Sequence, residues 1–65
     1  GAYKIALSFE ELCLAYRAGQ KADRDAIFRH ASRAKQLAAE AKKKDASLVS
    51  LSEMIVNQVE VLLGQ

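Results

Sequence analysis

The sequence predicts an all-α fold, a small antiparallel three-helix bundle, and three observations carry that prediction. Proline is absent, and alanine, leucine, lysine, glutamate and glutamine dominate; such side chains lose little rotamer freedom in a helix, and no ring interrupts the hydrogen-bond ladder. Apolar residues make up 51% of the chain, too many for a disordered tail. They recur at helical spacing in three segments joined by short connections, so neighbouring helices are expected to run antiparallel. The rival architecture is a helical hairpin whose core is completed by homodimerisation.

Length limits the fold to one domain, residues 1–65. A chain this short buries only about 60% of its extended surface, so it needs dense helix packing or a partner chain. Cys13 is the only cysteine and His30 the only histidine. An intrachain disulfide is therefore excluded, and a four-ligand metal site is not expected. Uncharged stretches such as Met54 to Val59 are far short of the ~20 residues of a membrane span, and no span is expected. A free thiol and no signal-like start point to a reducing, cytoplasmic setting. The chain opens Gly-Ala without an initiator methionine. The expectation is a domain cut from a longer protein, with a processed natural N-terminus as the alternative.

The first seven residues alternate weakly through Tyr3, Ile5 and Leu7, but no second strand exists to pair with them. An extended arm or an early helical turn is expected. The first helix is placed at about 8–18. Ser8 followed by Glu11 matches a capping box, with Leu7 as staple residue. Phe9, Leu12, Cys13 and Tyr16 then form one apolar stripe, on which Cys13 serves as a small buried hydrophobe. Gly19 is the natural left-handed stop.

The second helix is placed at about 22–44, with Asp23 as candidate cap. Ile27, Ala31, Ala34, Ala38 and Ala41 repeat at 4-3-4-3 spacing, a heptad-like seam whose small residues let a neighbour approach closely. Phe28 and Leu37 add bulk beside it. Lys42, Lys43 and Lys44 place positive charge at the C-terminal end, where the helix dipole favours it. The third helix is placed at about 47–63 and ends at Gly64. Ser50 and Glu53 match a second capping box, with Asp45 or Ser47 as earlier candidates.

Chemistry has nothing to work with in this sequence. A catalytic triad or acid–base pair needs a nucleophile, a base and an orienting group. The single histidine sits at the border of the alanine face, as a surface or boundary residue, and the single cysteine sits on an apolar stripe. The three glycines stand alone at 1, 19 and 64, so no phosphate-cradling loop exists. No enzyme activity and no cofactor are expected.

Two surfaces remain for binding. Residues 21–44 carry Lys21, Arg24, Arg29, Arg33, Lys35, Lys42, Lys43 and Lys44 against Asp23, Asp25 and Glu40, a net +5 in a chain of net +2. That helix suits a phosphate backbone, with Arg29, Arg33, Lys35 and Lys42 as candidate contacts. No aromatic residue interleaves with these charges to stack on bases. The third helix is apolar around most of its circumference, and from Leu51 onward its only charges are Glu53 and Glu60. A helix packed on one side needs only a stripe, so the excess points to a binding or self-association surface. The expected function is a non-catalytic protein–protein interaction module, a docking, adaptor or oligomerisation domain. Leu51, Ile55, Val59 and Leu62 anchor the core or partner groove, and the basic residues steer from the rim. The partner is another protein or a second copy. The alternative is a nucleic-acid-binding accessory domain using the second helix.

Overall fold

In a computed structural model that describes residues 2–64, the chain forms three helices. They are α1 (Ala2–Gln20), α2 (Arg24–Lys44) and α3 (Val49–Leu63), with a 3₁₀ turn at Ala46–Leu48 leading into α3. There is no strand among the described residues. The small helical bundle expected from the sequence is the observed fold. Contacts between α1 and α2 pair Lys4 with Glu40, Ser8 with Ala34 and Glu11 with His30. Partner numbers fall as α1 ascends, the order that oppositely directed neighbours produce.

Packing centres on α2. Its buried face is Ala26, Ala31, Ala34, Leu37, Ala38 and Ala41, which confirms the alanine seam, apart from a half-buried Ile27. Alanine puts almost nothing between two helix backbones, so neighbours close in until small polar groups fit. Two serines do so. Ser8 Oγ in α1 donates to the Ala34 carbonyl at 2.7 Å, and Ser52 Oγ in α3 donates to the Ala38 carbonyl at 2.9 Å. Both serines are buried, and each such bond contributes about 1 kcal/mol net. The acceptors lie one turn apart on α2, so α1 and α3 are clasped at the same level. Around them pack Ile5, Leu12, Ile55, Val59 and Leu62. The helices α1 and α3 touch each other far less than either touches α2. The molecule is accordingly 34 Å long with a flattened 19 by 12 Å cross-section.

Several local expectations need correction. Residues 2–7 take the helical one of the two expected forms and move the start of α1 from 8 to 2, because Ile5 is buried in the core and Lys4 Nζ reaches Glu40 Oε1 at 2.6 Å. Ser8 therefore caps nothing; it lies in mid-helix, and Glu11 turns to α2. Of the expected stripe only Leu12 is buried, Phe9 is half-buried, and Cys13 and Tyr16 are exposed. The face that wins is Ile5, Ser8, Leu12, Ala15 and Ala18, which places small residues against α2. Phe28 is exposed, whereas Leu37 is buried.

The helix termini use different residues from those expected. Gly19 lies inside α1, and the left-handed stop is Ala22, with φ 56°. Its N–H bonds to the Gly19 carbonyl and that of Asp23 to the Ala18 carbonyl, both at 3.1 Å, the paired closure of a Schellman motif. Asp23 then caps α2 as expected, its carboxylate accepting from Ala26 N–H at 3.2 Å. At the next junction Asp45 accepts from Ser47 N–H at 3.0 Å and from Ser47 Oγ at 2.6 Å. This cap starts the 3₁₀ turn ahead of Ser50, so the Ser50–Glu53 box is not the start of α3.

Two outcomes follow for stability. Alanine in the left-handed region costs about 1 kcal/mol, and Gly19 has room for a methyl group, the nearest side-chain atom to such a group being 4.0 Å away. Exchanging the two, Gly19→Ala with Ala22→Gly, should raise the melting temperature, and thermal denaturation reads the sign. The hydrogen bond from Lys4, with its charge, holds the Glu40 carboxyl below its ordinary 4.5, and bonds from Ser47 hold Asp45 below 3.8. A carboxyl depressed by folding stabilises above its unfolded pKa, and that contribution fades as pH falls through the folded value. The melting-temperature gap between wild type and Lys4→Met should therefore persist above pH 4.5 and close on further acidification.

Candidate interaction surface

With alanine and serine filling the seam, many of the large apolar side chains are pushed outward. Ile55 and Val59 are the largest fully buried residues. Outside stand Tyr16 at 42% exposure, Leu51 at 40%, Met54 at 44%, Val61 at 58% and Phe28 at 65%. A helix turns about 100° per residue, which sorts these groups. Leu51, Met54, Gln58 and Val61 share the flank of α3 nearest α1, where the Tyr16 hydroxyl donates to Gln58 Oε1. Phe9, Cys13 and Tyr16 share the facing flank of α1. By this rotation and the Tyr16–Gln58 contact they border the groove between α1 and α3, on the side away from α2.

A second apolar patch lies at one end of the bundle. There Gly19, Ile27, Phe28, Leu62 and Leu63 border an open depression of about 500 Å³, with Arg24 and Asp25 at its rim. This patch differs from the groove in carrying charge of both signs.

Among the four apolar residues expected to contact a partner, Ile55, Val59 and Leu62 are buried inside the bundle. They build the platform and are unavailable at its surface. Leu51 alone is exposed. The helical pattern missed Met54 and Val61 as surface groups, because an all-round apolar helix does not say which stripe faces inward. Cys13 is exposed, so its expected burial is also corrected.

The basic residues do not form one stripe. Arg33 Nε lies 3.9 Å from Glu11 on α1, whereas Lys35 Nζ lies 3.7 Å from Glu60 on α3. Arg29 and Arg33 thus lie towards α1, and Lys35 and Lys42 towards α3, on opposite flanks of α2. His30 Nδ1 sits 2.6 Å from Glu11 Oε2, so the boundary histidine serves as a link between helices. All these contacts lie in partly or fully exposed positions, where an ion pair contributes little beyond orientation. No cluster of three potential metal ligands occurs among the described residues.

The segment Ala46–Leu63 is long and apolar enough, by length and composition, to cross a membrane, with a mean hydropathy of 1.3 over 18 residues. The expectation of no span rested on the short uncharged run Met54–Val59. Averaged over the whole segment, the apolar residues outweigh Glu53 and Glu60. In the bundle 22% of this segment is buried, and Val49, Leu51, Met54, Val61 and Leu63 keep 38–58% of their surface exposed.

Comparison with known proteins finds no matching family model and no matching curated protein or solved structure.

The separation of core from surface on α3 has a direct consequence. Val59→Asp places an unpaired carboxylate in the core and should cost several kcal/mol, unfolding the chain. Met54→Glu alters an exposed position and should cost under about 0.5 kcal/mol. Circular dichroism with urea titration separates the two. Equal destabilisation would mean that Met54 belongs to the core.

Proposed function

We propose that this chain is a non-catalytic protein–protein interaction module that binds through the apolar surface of α3. One observation carries the reading: the seam of α2 is built from small residues, while Leu51, Met54 and Val61 stand exposed along one flank of α3. At 40–58% exposure each of these side chains forgoes roughly half of the ~1.5–3 kcal/mol that full burial gives, and a partner recovers it. Exposed large apolar groups that form a contiguous patch mark interaction sites. The chemistry-bearing residues support no catalytic alternative, since His30 is engaged with Glu11 and Cys13 lies on the far side of α1 from it. The nucleic-acid reading loses support because its four candidate contacts lie on two opposite flanks, two of them beside carboxylates.

The test uses Leu51→Glu combined with Met54→Glu, after circular dichroism has established an unchanged fold. Immobilised wild-type chain should retain specific proteins from an extract of the cells that express it, and the double variant should lose them. Identical retention by both would overturn the reading. So would binding of wild-type chain to lipid vesicles with no protein retained, because α3 would then serve a membrane.

A further inference from the structure

We propose that the groove between α1 and α3 is covered by a second copy of this chain, in a two-fold symmetric dimer. The inference rests on the interaction reading above and names its partner. Its first support is charge. Phe9, Cys13 and Tyr16 of α1 and Leu51, Met54 and Val61 of α3 contain no ionisable carboxylate or cation, in a chain of which 28% is charged. In a two-fold contact each patch meets its own copy. Any net charge on it would face like charge, and this face has none. The basic flanks of α2 and the Arg24–Asp25 end patch lack that property. The nearest charges are exposed at the outer edges of the groove face, Glu10 and Arg17 of opposite sign on α1 and Glu53 on α3.

Geometry gives the second support. Because α2 packs on both neighbours and these touch little, α1 and α3 present a two-helix layer. Two such layers placed face to face make a four-helix bundle, with each α2 outside. The groove's conspicuous polar pair is satisfied within the chain, Tyr16 donating to Gln58. Apolar contact is therefore what the face chiefly offers, and bulky residues on both layers suit mutual interdigitation.

Size gives the third. A standard interface takes about 800 Å² from each partner, less than a fifth of the 4426 Å² accessible on this chain. The dimer also supplies the burial that an alanine-filled core of this length lacks.

Analytical ultracentrifugation of the full chain tests the assignment. The mass should rise from 7.1 kDa towards twice that with concentration. Met54→Glu and Val61→Glu should each weaken association by about thirtyfold or more with helix content unchanged. Phe28→Glu, on the end patch, should leave association intact. Cys13 should react with N-ethylmaleimide in dilute solution and become protected as the dimer forms, a readout that requires no substitution. A wild-type chain that stays monomeric to about 500 µM would overturn the proposal. So would a dimer that tolerates Met54→Glu and Val61→Glu, or one that only Phe28→Glu disperses. A monomer that still loses retained proteins through Leu51→Glu and Met54→Glu overturns only the second-copy assignment. A monomer whose double variant loses nothing overturns the interaction reading as well.

Discussion

The alanine seam of α2 is the constraint on which the rest of the structure depends. With methyl groups at Ala31, Ala34, Ala38 and Ala41, a neighbouring backbone approaches until a serine hydroxyl reaches a helix carbonyl. Ser8 and Ser52 meet that limit from opposite helices. A bulkier residue at either position would hold the helices apart, and a smaller one would leave the clasp open. Serine in mid-helix can bond its own preceding carbonyl; here tertiary contact redirects it. Once that spacing is set, the interior has little volume for large side chains. Tyr16, Met54, Leu51 and Val61 are outside as a consequence of how tightly the inside closes.

Charge performs a different task. Lys4 with Glu40, Glu11 with His30 and Arg33, and Lys35 with Glu60 line the borders of α2. Partly exposed pairs of this kind add little net stability. Their positions do specify order, since each joins a residue of α2 to a neighbour that an altered register would move away. The same pairing divides the positive charge of α2 between two borders. The net charge of the helix, +5 over residues 21–44, therefore overstates what any one face presents.

The bundle also explains why an apolar helix such as α3 can serve as core and surface together. Four of its residues, Ser52, Ile55, Val59 and Leu62, are buried, a stripe of ordinary width. The remaining apolar residues lie on both sides of that stripe. On the α1 side they are uncharged and continuous with Phe9, Cys13 and Tyr16. On the α2 side Glu60 and Lys35 interrupt them. Two unlike flanks on one helix let a single segment be held by its own chain and still offer a face to another.

Much of this architecture is legible in the residues themselves. Helix number, the Asp23 cap, the alanine seam and the end of α3 near Gly64 follow from periodicity and from the chemistry of chain termini, which are local. Other features are decided between helices. Ser8 followed by Glu11 satisfies a capping pattern, yet the distant Ala34 carbonyl and His30 claim those side chains. Gly19 is the better left-handed residue, yet the connection to Asp23 puts that conformation at Ala22. Cys13 and Leu12 are neighbours on one stripe, and only the direction of α2 decides that one is buried and the other exposed. The interaction surface is legible to the same degree. An excess of apolar residues on α3 is a property of the sequence. Which of them remain outside, Leu51, Met54 and Val61 and not Ile55, Val59 and Leu62, is fixed by the rotation of α3 against α2, and a helix that is apolar nearly all round carries no local signal of that rotation.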